Sequence, residues 1–240
     1  MATPPRTPSG PRITANDLAL FMVSSETARL GIIRRAKFPQ APPIIRYRDV
    51  RPVVCAYLSD DTRSVNPLVA AEQMFEQRLN DTAESVLRQD DARASIGVIR
   101  AVQGMRNSLG PFTFRSGPNT QPKLVLSGVD VSVRTDLVVT APLRGQDHAG
   151  AAILRLTQDD AATDAARSRR REMGLYVATL IRLHVDQNIS TNLPVSNRLC
   201  MSVDIQHGEI FQAPDSNTRR TNDLTSACRI IGAVWPTIDA

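Results

Sequence analysis

The residues that could do chemistry in this chain are mostly arginines, with two carboxylates set apart from them. Arg167, Arg169, Arg170 and Arg171 place four guanidinium groups on about one and a half turns of a predicted helix. Arg34, Arg35 and Lys37 close an earlier one, and Arg29, Arg46, Arg48 and Arg51 make the first third of the chain basic as well. Guanidinium and ammonium groups contact phosphate independently of base sequence, so these clusters are candidate nucleic-acid contacts. The competing reading of the later cluster is a surface salt-bridge network with Asp159, Asp160, Asp164 and Glu172. Arg34, Arg35 and Lys37 also suit the negative end of a helix. The two carboxylates are Asp136, which opens an apolar strand pattern, and Glu72. Glu72 lies about 40° around its predicted helix from the apolar stripe, near enough to face a sheet.

Three strand patterns run in succession, over residues 123–133, 136–141 and 150–157. Leu124, Leu126, Val129, Val131 and Val133 largely alternate, with Ser127-Gly128 permitting a bulge. Leu137-Val138-Val139 is continuously apolar, as in a strand covered on both faces. Residues 142–149 read as a polar, flexible loop. Before this block, Thr14 caps a helix and a second helix covers 26–37. Residues 44–60, which contain Pro52, read as irregular or as an edge strand. Asn66-Pro67 starts a helix carrying Leu68, Ala71, Phe75 and Leu79, and Asp90-Asp91 starts another. After the block come a long helix over 160–187, strands at 201–206 and 209–212 joined by His207-Gly208, and a last helix over 221–234.

The predicted class is α/β: a central mixed sheet of about four or five strands flanked by helices in αβββαββα order, with a small helical N-terminal region. The expected organisation is a disordered tail at 1–12, a helical and irregular region at 13–60, and a core domain at 61–240.

That order of elements resembles the PD-(D/E)XK nuclease-like fold. The run Gly128–Leu137 followed by Gly150–Leu154, with Trp235-Pro236 near the C-terminus, is similar to a group of bacterial proteins without an established activity. These carry a Val-Ser-Val-Arg-Pro-(Asp/Glu) strand, a Gly-Ala-Ile-Lys-Leu strand and a Trp-Pro. Thr135 stands here in place of the proline and Ile153 in place of the lysine. The resemblance implies that Asp136 is the second-strand acid and that Glu72, or Glu76, is the helical one. In an active member such carboxylates hold Mg²⁺, which activates water and stabilises charge on the phosphorus. The third strand has no acid and no lysine; Leu154, Arg155 and Leu156 fill those places. The expected function is therefore a non-catalytic nuclease-like module for binding or assembly in a bacterial or phage system, with DNA, RNA or a protein complex as partner and no cofactor. The alternative is a divergent Mg²⁺-dependent nuclease using Asp136, Glu72 and a displaced basic residue such as Arg155. Without a catalytic role, Asp136 is a turn residue or a partner for Arg134 or Arg155.

Bulk properties narrow the field further. The net charge of +5 allows a polyanionic partner. Aromatics are only 4%, too few for broad base-stacking platforms. Cys55, Cys200 and Cys228 are far apart, which argues against a zinc module or a disulfide framework and suits a reducing cytoplasm. There is no apolar run long enough for a membrane span. Walker A, GxGxxG, GxSxG and HExxH motifs are absent. His148, His184 and His207 read as exposed, core and turn residues respectively.

Overall fold

The computed structural model describes residues 10–42, 44–157 and 162–239. Most of the expected tail lies outside the described residues, but Arg12 opens the first strand. The order is β1 (Arg12–Thr14), α1 (Ala15–Met22), α2 (Glu26–Lys37), α3 (Val50–Ser59), α4 (Asn66–Asn80), α5 (Val86–Gly104), α6 (Arg106–Leu109), β2 (Thr113–Ser116), β3 (Leu124–Leu126), β4 (Val129–Ser132), β5 (Leu137–Leu143), β6 (Gln146–Arg155), α7 (Asp164–Asn188), β7 (Met201–Asp204), β8 (Glu209–Gln212) and α8 (Thr218–Val234). The protein is α/β, with two mixed sheets surrounded by helices.

The larger sheet has the order β2-β5-β6-β7-β8. All neighbours are antiparallel except β6 and β7. A parallel pair cannot be joined by a tight turn, and α7 supplies the crossover. In β6 every residue from Ala149 to Leu154 is buried. Ala152, Leu154 and Leu156 enter one apolar core with α3, α4 and α5, whereas Ala151 and Ile153 enter a second core with α1, α2, α7 and α8. The side-chain period of two thus divides one central strand between two cores.

Residues 123–133 form two strands rather than one. Ser127 and Gly128 both have positive φ, 47° and 80°, and Leu126 pairs with Val129 across them. Two left-handed residues in a two-residue loop make a hairpin turn, where a bulge would have kept the strand continuous. This hairpin joins β1 in a separate sheet of order β1-β4-β3. The same device replaces the expected loop at 142–149. Arg144 and Gly145 (φ 52° and 81°) turn β5 directly into β6.

Residues 50–59 are helix α3, not a strand or irregular chain. Pro52 occupies the third helical position, where a backbone N–H has no intrahelical acceptor, so its missing donor costs nothing. Helix α5 starts earlier than Asp90: Ser85 caps it and accepts from the Arg88 N–H. Asp91 is instead buried in the helix, where Oδ1 accepts the Tyr47 N–H at 2.8 Å. The β7–β8 connection takes four residues, Ile205 to Gly208, rather than two. Helix α7 opens at Asp164 behind the Thr163 cap, and α8 begins at Thr218. Among the described residues no helix is long and apolar enough to cross a membrane.

Candidate functional site: a cationic cleft between the two sheets

The turn from β4 into β5 crosses from one sheet to the other, and a cleft of about 510 Å³ opens beside it. Its walls come from Thr14, Ala15 and Asn16 where β1 enters α1, from Gly117, Pro118, Asn119 and Gln121, from Ser132, Arg134 and Thr135, and from Arg51 on α3. Asp136 lies among them.

Asp136 joins three elements. Its N–H donates to the Ala152 carbonyl (2.9 Å) and its carbonyl accepts from Gly117 N (2.8 Å). Both carboxylate oxygens accept from Arg51 Nη1 at 2.8 Å, and Oδ2 also accepts the Leu154 N–H at 2.7 Å. Arg51 Nη1 donates in addition to the Leu154 carbonyl (3.1 Å). The carboxylate is 13% exposed and the arginine side chain 40%. Arg51 sits in the first turn of α3, the positive end of a helix, where a cation is disfavoured. Asp136 offsets that and fixes α3 against β5 and β6. Its partner is Arg51, not Arg134 or Arg155.

The wall opposite is rigid. A Cβ on Gly117 would come within 2.4 Å of the Thr135 carbonyl oxygen, so this backbone approach admits only glycine. Gln121 Oε1 accepts from Thr135 N (2.9 Å) and Thr135 Oγ1 (3.0 Å), while Nε2 donates to the carbonyls of Pro118 and Thr135. His184, fully buried on α7, reaches the same Gln121 oxygen with Nε2 at 3.2 Å, and its Nδ1 lies 3.1 Å from Asn188 Nδ2. Burial lowers the His184 pKa. A neutral ring donating from Nε2 and accepting at Nδ1 satisfies both contacts.

Glu72 is not among the residues of this cleft. Its Oε1 accepts from Arg100 Nε at 2.7 Å, tying α4 to α5, and Glu76 lies 3.6 Å from the same guanidinium. No cluster of three or more His, Cys, Asp or Glu residues able to hold a metal ion occurs among the described residues. Mg²⁺ needs near-octahedral oxygen ligation at about 2.0–2.1 Å. Here one carboxylate is committed to a guanidinium and a backbone N–H, and the other lies outside the cleft. This donor set does not fit the ion. Arg155 pairs instead with the fully buried Asp204 (3.6 Å), whose other oxygen meets His207 Nδ1 at 2.9 Å.

The predicted arginine contacts divide. Arg167 pairs with Asp164. Arg169 and Arg171 are exposed and have no hydrogen-bond or ion-pair partner among the described residues. Arg170 is only 7% exposed, on the side of α7 near Arg155. Lys37 donates to the carbonyls of Trp235 and Ile238, both at 2.7 Å, and so ties the C-terminal turn to α2. Arg34 and Arg35 are exposed and unpartnered among the described residues. Arg35 lines a second cleft of about 330 Å³ with Arg12, Asp17, Lys123 and Asp130. The two clefts share Thr14 and Ser132 in their walls and so adjoin at β1 and β4; together they are called the groove. Asp130 is held by Lys123 (2.8 Å) and Asp17 by the Thr14 hydroxyl (2.7 Å). Arg12, Arg35 and Arg134 have no partner among the described residues.

Nothing in the sequence sets Arg12 and Arg134 beside one cleft or Gln121 in its wall. Arg12 and Arg134 are isolated in sequence, and only the parallel pairing of β1 with β4 brings their neighbourhoods together. Arg51 stands out in the sequence as one of the cations of the basic first third, but its place in the first turn of a helix, which calls for a carboxylate partner, is visible only once 50–59 is known to be a helix. Comparison with protein-family models and with curated proteins returns no match for this chain.

Proposed function

We propose that the protein is a non-catalytic, nuclease-like α/β module that binds the phosphates of a nucleic acid along the groove of Arg12, Arg35 and Arg134. One observation carries the reading: the carboxylate at the larger cleft is already paired with Arg51, while Arg134 beside it and Arg12 and Arg35 in the adjoining cleft make no ion pair among the described residues. The lining residues of both clefts include no aromatic side chain, so the groove offers charge and hydrogen bonds but no stacking platform. Such contacts are independent of base sequence. Arg169 and Arg171 form a separate exposed pair that would add to binding only if the ligand extends to α7.

Fluorescence anisotropy of labelled single- and double-stranded DNA tests this. Affinity should fall with salt, with a log–log slope of about 0.7–0.9 per phosphate contact. The triple variant Arg12→Ala, Arg35→Ala, Arg134→Ala should weaken binding and reduce the slope by about 2–3 units. Binding unchanged in the triple variant would remove the groove from consideration.

A further inference from the structure

We propose that the larger cleft is a receptor for a phosphate monoester, namely the terminal phosphate of a nucleic-acid strand, with Arg51 and Arg134 as its ligands and Asp136 as the residue that positions Arg51. This rests on the polyanion reading above and names the part of the polyanion that the cleft takes.

The cleft volume of about 510 Å³ falls in the range of small-ligand sites. With no aromatic in its lining, a base has nothing to stack on there, which leaves phosphate and sugar. Arg51 is held through Nη1 alone; its Nη2 and Nε make no hydrogen bond among the described residues. A guanidinium already fixed by a carboxylate and a carbonyl loses little freedom when it takes an anion on its remaining N–H groups. Arg134 supplies the cleft's uncompensated charge, because Asp136 neutralises Arg51. Asn16, Asn119 and Ser132 add hydrogen-bonding side chains that also lack partners among the described residues.

A phosphate monoester carries roughly −1.5 to −2 charge and three terminal acceptor oxygens near neutral pH. An internal diester offers one charge and two such oxygens. The monoester's third terminal oxygen, rather than its extra charge, favours it here: the free N–H groups of Arg51 and Arg134 and the side chains of Asn16, Asn119 and Ser132 offer more donors than two oxygens can take, and charge-assisted, forked hydrogen bonds are the strong ones.

The test compares three single strands of one sequence, ending in a 5′-phosphate, a 3′-phosphate or hydroxyls only, at fixed ionic strength. One phosphorylated strand should bind at least about tenfold more tightly than the hydroxyl-ended strand. Arg134→Ala should abolish that advantage; the residue is exposed and unpartnered among the described residues, so the fold is not at stake. Arg12→Ala with Arg35→Ala should preserve it. Competition by a nucleoside monophosphate separates two sources of the same chemistry: a match in affinity assigns the site to a free nucleotide, a large deficit to a strand end, and either upholds the monoester. Equal binding of all three strands, or an advantage that survives Arg134→Ala, overturns the inference. Equal, salt-steep binding lost in the Arg12/Arg35 variant would overturn it and leave the proposed function standing. Absence of binding by every strand would remove both.

Discussion

Asp136 looks like a catalytic acid in the sequence and behaves as a clamp in the structure. The difference is made by Arg51, 85 positions earlier, which occupies both carboxylate oxygens. Removing either partner leaves the other without its counter-charge. Because the arginine is two-fifths exposed, water screens much of the pair's energy. Asp136→Ala also loses the hydrogen bond to Leu154 N, and should cost about 1–3 kcal/mol of stability in urea denaturation. The double variant with Arg51→Ala should cost less than the sum of the two single changes. Additivity would show that the pair is not coupled. His184 gives a pH prediction. Its folded-state pKa lies below the ordinary value because the ring is buried, so the unfolded chain binds the proton more readily. The stabilisation is therefore complete above about pH 6.5 and is lost progressively as pH falls from there through the lower folded-state pKa. Melting temperature should drop on acidification through this window, and the drop should shrink in His184→Gln. An unchanged pH profile in that variant would place the acid sensitivity elsewhere. Burial also pushes the thiols of Cys200 and Cys228 up to about 12. Thiolate-dependent reagents at pH 8 should modify neither in the folded protein.

At the level of elements, helices with clear apolar periodicity, such as α4 and α7, were legible in the sequence, and so was the central pair β5 and β6. What misled was local chemistry with two physical readings. Pro52 ends a strand ladder or opens a helix, and only the surrounding packing selects the helix. Ser127-Gly128 can bulge a strand or turn it, and the pairing of β4 with β1 selects the turn. Asp91 reads as a helix start because acids favour first turns, yet it is retained inside α5 for the buried bond to Tyr47. Close contacts between elements were not legible at all. Gly150 in β6 lies so near the 3₁₀ turn at Asn197–Leu199 that a Cβ would stand 2.3 Å from the Leu199 carbonyl carbon and oxygen. Backbone atoms on both sides cannot yield as a side chain can. Gly150→Ala should therefore destabilise by about 1–3 kcal/mol, although alanine loses less entropy on folding than glycine. A variant as stable as the parent in thermal denaturation would show that the turn moves away.

Across the whole molecule, the α/β class was recoverable because it follows from periodicity and element order. The division into two sheets was not, because it depends on which strand pairs with β4, a contact spanning more than a hundred residues. The candidate site was half legible for the same reason. Arginines clustered in sequence scatter in space: Arg170 turns inward, Lys37 secures the C-terminal turn, and Arg35 reaches the groove. The groove's other cations, Arg12 and Arg134, lie 122 positions apart in the chain. Net charge of +5 over 240 residues is modest, so the distribution of unpaired cations carries the argument more than the total.

Asp136 holds Arg51 in this structure, and one gel assay shows whether it also serves a metal. Labelled DNA is incubated with Mg²⁺ and either the parent protein or Asp136→Ala, with binding and cutting read from the same lanes. Shifted, intact DNA is expected with both proteins. Mg²⁺-dependent cleavage by the parent that disappears in Asp136→Ala would contradict it.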